Sequence, residues 1–284
     1  MRSLAAALSL ACSTLLFAQP TGPNSNPTTR GYYRQPAIHG DTIVFVSEGD
    51  LWKVPVAGGV ATRLTTGSGD EAHPAISPDG KTVAFVATYE GPGEIYTMPL
   101  EGGLPVRQTY GAARVSFVGW TPDGKLMYST REFSTLPSSQ LVVLGARGRE
   151  ANEAEAPAVQ RVPLYEADQG SYSADGKTLF FTRLPFQGSN TKRYQGGFIQ
   201  QIWKYSAGGA EAVPLTTDYA GTSKEAMFWQ GRVYFASDRD GVMNIWSMDQ
   251  DGKDLKQHTK HADYDVASPE LDAGRIVYQH GADI

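Results

Sequence analysis

Five histidines, His39, His73, His258, His261 and His280, are the only imidazoles this chain offers for acid–base or metal chemistry. His258-Thr259-Lys260-His261 holds two of them, but without the helical spacing and adjacent glutamate of a zinc-peptidase pair. That segment is read as part of an outer strand with no metal role, and no cofactor is expected. His39 and His73 lie in or beside turn-bearing segments and are read as surface residues. No serine stands in a G-x-S-x-G elbow. Pairs such as Gly58-Gly59 and Gly102-Gly103 fall between strand-like runs, so they read as hairpins rather than phosphate cradles. A Ser–His pairing stays open, because triad members meet only in the folded chain. The strongest binding candidate is a loop that carries Arg183, Phe186, Lys192, Arg193 and Tyr194. Cations and rings in one long connection suit a peptide channel, where they would guide carboxylates, or an interface with a neighbouring domain or subunit. The interface is the commoner use.

The elements that must position this loop form a repeat of roughly 43 residues. Each copy carries a turn glycine, at Gly40, Gly80, Gly124, Gly176, Gly231 and Gly274. Three of the turns read Ser77-Pro78-Asp79-Gly80, Thr121-Pro122-Asp123-Gly124 and Ser173-Ala174-Asp175-Gly176. Proline presets φ, aspartate bonds its own backbone and glycine takes positive φ, so Asp79, Asp123 and Asp175 are turn formers rather than calcium ligands. An apolar strand follows each turn, for example Val83-Ala84-Phe85 and Leu179-Phe180-Phe181, and its continuous apolarity predicts burial on both faces. Next comes an aliphatic–aromatic pair, Leu51-Trp52, Ile95-Tyr96, Ile202-Trp203 or Ile245-Trp246, with Leu141-Val142 in its place in the third copy. These rings are expected to pack between modules. A glycine hairpin and a more polar last strand, such as Ala61 to Thr65, complete the unit.

Four antiparallel strands of graded polarity, repeated around an axis, predict an all-β fold, a β-propeller with the most polar strand of each blade outermost. Blades are expected at about 31–73, 74–114, 115–169, 170–226 and 227–267, with the start of a sixth at 268–284. The last copy stops where the first has Leu51, which predicts a fragment of a six-bladed ring. Two copies are longer than the rest. The third gains a segment from Arg131 to Ala158, the fourth one from Arg183 to Gln201.

Arg2 followed by the apolar stretch from Leu4 to Phe17 predicts a secretory signal peptide over 1–18, and residues 19–30 read as a flexible leader. Cys12, the single cysteine, lies inside the signal, so the mature chain would carry none. That usage fits an exported protein, periplasmic or secreted, held by packing rather than disulfides. The net charge of −5, without a Lys/Arg-rich block, argues against nucleic acid as a partner. No internal apolar run is long enough to span a bilayer, and the N-terminal one is too short for an anchor, so no membrane partner is expected after cleavage.

F-T-R-L-P-F-Q-G-S-N-T-K-R-Y-Q-G-G from Phe181 to Gly197, with the opening from Gly31 to Trp52, resembles the amino-terminal propeller of the tricorn protease family. The resemblance covers about residues 31–284. The S-P-D-G-K units discriminate less, because TolB-like periplasmic proteins and prolyl-oligopeptidase-type propellers share them. It implies a large, oligomeric, modular serine peptidase that cleaves short peptides. In such proteins a six-bladed propeller comes first, then a seven-bladed one, then a PDZ-like domain within a core related to tail-specific proteases. The propellers would filter or channel peptides. No catalytic residue carries over, because that core would lie beyond Ile284. The signal peptide departs from the cytosolic archaeal members and points to an exported bacterial version. A TolB-like binding propeller without catalysis, or one fused to a prolyl-oligopeptidase-type hydrolase, is the alternative.

Overall fold

Each repeat unit folds as an antiparallel meander whose first strand is innermost. The computed structural model describes residues 31–111, 113–148, 158–185 and 194–284, so the readings for 1–18 and 19–30 fall outside it. Among the described residues every regular element is a strand. The first blade orders β1 (Arg34–His39), β2 (Thr42–Ser47), β3 (Asp50–Pro55) and β4 (Thr62–Arg63) side by side. The second comprises β5 (Glu71–Ile76), β6 (Thr82–Ala87), β7 (Glu94–Pro99) and β8 (Val106–Arg107). The third is β9 (Val115–Trp120), β10 (Leu126–Thr130), β11 (Gln140–Leu144) and β12 (Val159–Arg161). The fourth is β13 (Gly170–Tyr172), β14 (Thr178–Thr182), β15 (Ile202–Ser206) and β16 (Val213–Pro214). The fifth is β17 (Ser223–Trp229), β18 (Arg232–Ser237), β19 (Asn244–Asp249) and β20 (Lys256–Gln257). A two-stranded hairpin follows, β21 (Val266–Asp272) and β22 (Arg275–His280). The β-propeller of four-stranded blades is therefore observed, with five such blades.

The inner strands β5, β17 and β21 open a few residues ahead of the module bounds drawn at 74, 227 and 268. Each contains a β-bulge, which breaks the alternation that marks a strand in sequence.

Turn chemistry matches the sequence reading closely. Ser77 Oγ donates to Asp79 Oδ1 at 2.6 Å and accepts from Thr82 N at 3.0 Å. Ser173 and Thr121 repeat the arrangement with Asp175 and Asp123. The hydroxyl hydrogen bond is the largest influence holding the Asp79 and Asp175 carboxyls below their ordinary range. For Asp123 the Lys125 contact leads and the Thr121 bond comes second. A further repeat lies at the outer strands. Thr65, Thr109, Thr216 and Thr259 each accept, through the hydroxyl, the backbone N–H of Leu51, Ile95, Ile202 or Ile245 at 2.8–3.0 Å. Each threonine satisfies a third-strand donor that the two-residue outer strand does not reach.

Packing follows from alternation in the second strand. Val83 and Phe85 enter the cluster between blades one and two, whereas Ala84 between them enters the cluster between blades two and three. Likewise Leu179 and Phe181 face blade three and Phe180 faces blade five. Both faces are thus buried against neighbouring blades, and a fully buried phenylalanine contributes about 2–3 kcal/mol. Tyr96, Trp203 and Trp246 pack at these seams as expected. Trp52 is half-buried and joins none of the four clusters.

Candidate functional site: the central cavity

The inner strands of the five blades and β21 of the hairpin surround a cavity of about 810 Å³. The hairpin meets the first blade directly. Tyr33 N donates to Ala282 O at 2.9 Å, and Gly40 N donates to Asp272 Oδ2 at 2.9 Å. Two turn glycines permit close approach between modules. A Cβ on Gly80 would lie 2.8 Å from the His39 ring, and one on Gly274 would lie 2.6 Å from the Trp229 indole. His39 also contacts Asp272 at 3.3 Å, so it belongs to the cavity wall rather than to open surface.

Backbone strain marks one end of the wall. Gln35, His73, Glu225 and Ser268 hold φ of 49°, 51°, 57° and 47° at the bulges of β1, β5, β17 and β21. Such positions are costly for non-glycine residues and persist only where the surroundings over-determine them. Here Gln35 Oε1 accepts His73 N at 2.9 Å and so bridges two blades. The lining also carries aromatic rings, Phe117, Trp120, Tyr172 and Phe228. Trp120 Nε1 donates to Ala75 O at 3.0 Å, and Phe228 stacks on Phe180 at 5.5 Å.

Electrostatics at the strained end are set by enclosure. His73 opens onto the cavity and so touches solvent, yet protein surrounds it, and the surroundings govern its charge. Burial lowers its pKa, Glu225 opposes that shift and Arg114 adds to it. Glu270 is enclosed in the same way: burial first, then the Glu225 charge, push its pKa up to about 8. Glu225 Oε1 contacts Lys224 Nζ at 3.3 Å, while Oε2 is sheltered without a hydrogen-bond partner. Near neutral pH the wall thus presents a neutral imidazole and a protonated carboxyl, with Glu225 paired to Lys224. Such a surface can hydrogen-bond an extended polar ligand.

Nucleophilic chemistry finds no support among the described residues. The Ser–His contact is Ser247 Oγ with His258 Nε2 at 2.7 Å. Ser247 is fully buried, and its oxygen also accepts from Arg232 Nε and Nη2 at 3.1 and 3.0 Å. An oxygen held by a guanidinium away from solvent is a structural anchor, not a nucleophile. His258 lies just past β20, with its pKa lowered by burial and then by Arg232.

The loop singled out in the sequence is placed in part. Arg183 pairs with Glu166 through Nε at 3.0 Å and Nη2 at 2.6 Å, and lies 5.1 Å over the Trp203 ring. These contacts put it at the seam of blades three and four, away from the cavity lining. Tyr194 is half-buried and also absent from that lining. Phe186, Lys192 and Arg193 lie outside the described residues. Sequence reasoning missed Gln35, Glu225 and Glu270; an available signal was the charged or amide residue one or two positions from proline, or before alanine, in strands that are otherwise apolar.

Residues 30–284 match the family described as the tricorn protease N-terminal beta propeller domain. A tricorn protease homolog of Saccharolobus solfataricus is 32% identical over 275 residues, covering 90% of this chain and 23% of that protein. A crystal structure of the tricorn protease superposes with a TM-score of 0.75 at 28% identity, over 89% of this chain and 25% of that one. The putative TolB of Agrobacterium tumefaciens is similar in fold, with a TM-score of 0.64 at 22% identity and 81% coverage of both chains. The present chain therefore spans about a quarter of the tricorn proteins it matches.

Proposed function

The chain belongs to the tricorn protease family through its N-terminal β-propeller, and from that premise we propose that it is the substrate-gating and scaffolding propeller of an exported tricorn-type serine peptidase. The observation that carries the reading is the pairing of a family match over 30–284 with a central cavity that has hydrogen-bonding walls. Peptides are the ligands, and the catalytic core belongs to downstream domains of the same polypeptide in a homo-oligomer. The hairpin β21–β22 is the opening of a sixth blade, and Trp52 is the ring against which that blade's outer strands pack. Export rests on Arg2 and the apolar stretch from Leu4 to Phe17.

Two measurements test this. The purified propeller, incubated with fluorogenic tri- and tetrapeptides, is expected to show no hydrolysis; turnover that survives purification and tracks the protein would end the gating reading. The coding sequence after codon 284 is expected to complete the blade and, much later, to encode a serine-peptidase core. The similarity to TolB supports a second reading, a binding propeller without catalysis. A stop codon within one further blade would select it, and a downstream G-x-S-x-G elbow would select a prolyl-oligopeptidase-type fusion instead.

A further inference from the structure

Where blade five hands over to the terminal hairpin, three ligating side chains from two segments converge. One ligand atom from each of His261, Asp263 and His280 lies within 4.8 Å of the other two. His280 Nε2 is 3.1 Å from Asp263 Oδ1, and the two imidazoles face each other at 3.9 Å between ring centres, tilted by 29°. The group thus gathers two imidazoles and one carboxylate in a small volume.

The surroundings hold this group in place. A single fully buried side chain, Asn244, clamps the His261 backbone from both sides. Its Oδ1 accepts His261 N at 2.9 Å, and its Nδ2 donates to His261 O at 3.0 Å. The Tyr278 hydroxyl bonds His261 Nε2 at 3.0 Å, the kind of outer hydrogen bond that orients metal-ligating imidazoles. Tyr264 meets the His280 ring edge-on at 5.8 Å.

We propose that His261, Asp263 and His280 form a binding site for one borderline divalent cation of the zinc or nickel class, which clips the blade-five exit to β22. Two nitrogens and one oxygen, with water filling the remaining positions, suit such ions. Calcium and magnesium require more oxygen ligands than this set provides. Bonds of about 2.0–2.2 Å draw ligand atoms closer than they now stand. The exposed Asp263 side chain and the soft χ2 torsions of the two rings supply that movement. The linear sequence hid the site, because His258 and His261 were the visible pair and the fold sends His258 to Ser247 instead.

Isothermal titration of the whole chain with zinc chloride, nickel chloride and calcium chloride tests this. Zinc and nickel are expected to bind one ion per chain and to raise the thermal midpoint, with calcium silent. His280→Ala and Asp263→Asn should each weaken zinc at least ~10-fold, and His258→Gln should leave it unchanged. Asp263 is mostly exposed, so its variant keeps the test valid if His280→Ala disturbs the hairpin. Absence of zinc binding, or zinc binding that both site variants leave intact, would overturn the assignment.

Discussion

Replacing Glu270 by glutamine should make the stability of this propeller less sensitive to alkali, by an amount the structure sets. In the unfolded chain this carboxyl loses its proton near 4.5; in the fold burial and the Glu225 charge hold the proton until about 8. Unfolding between these values therefore releases a proton. The stabilisation is complete below about pH 4.5, declines as pH rises and is gone above about pH 8. At about 1.4 kcal/mol per pKa unit the whole shift corresponds to roughly 5 kcal/mol. Glu270 keeps some contact with cavity water, which screens part of this, so about 2 kcal/mol is the expected effect. For a domain of this size that is a melting shift of about 4–8 °C. The assay is thermal unfolding of the parent and Glu270→Gln from pH 5 to pH 9. The variant should gain steadily on the parent as pH rises and level off above pH 8; subtraction removes every other titration. Glu225→Gln removes the neighbouring charge and should move the parent's decline to lower pH. A difference between parent and Glu270→Gln that stays constant across the range would refute the claim that enclosure protonates this carboxyl.

Two further outcomes follow from the packing. Gly274→Ala should lower stability more than Gly124→Ala: both glycines hold positive φ, but only the Gly274 methyl would meet an indole, at 2.6 Å, while the Gly124 site is open. Urea midpoints should place the Gly124 change near ~1 kcal/mol, the φ cost alone, and the Gly274 change well above it. Thr216→Val keeps the shape but leaves the buried Ile202 N–H without its acceptor at 3.0 Å, so a loss of about 1–3 kcal/mol is expected in the same assay.

The architecture was legible because its determinants act between near neighbours along the chain. All six turn glycines adopt positive φ, from 54° at Gly40 to 81° at Gly274, as their position before an apolar strand demands. Asp79, Asp123 and Asp175 bond within their own turns. The bulges were not legible, since a left-handed Gln35, His73 or Glu225 has no local cause in residue type; neighbouring blades impose it. Arg183 looked like a free cation until Glu166, from the preceding blade, was found beside it.

Residue order thus determined the repeat, the turn chemistry and the strands of each blade, because these depend on contacts a few positions apart. The ring alone decided that Glu225 meets Glu270, that Ser247 is sealed away and that His261 reaches His280. Desolvation and cross-blade proximity arise only when modules distant in sequence are brought around a common axis.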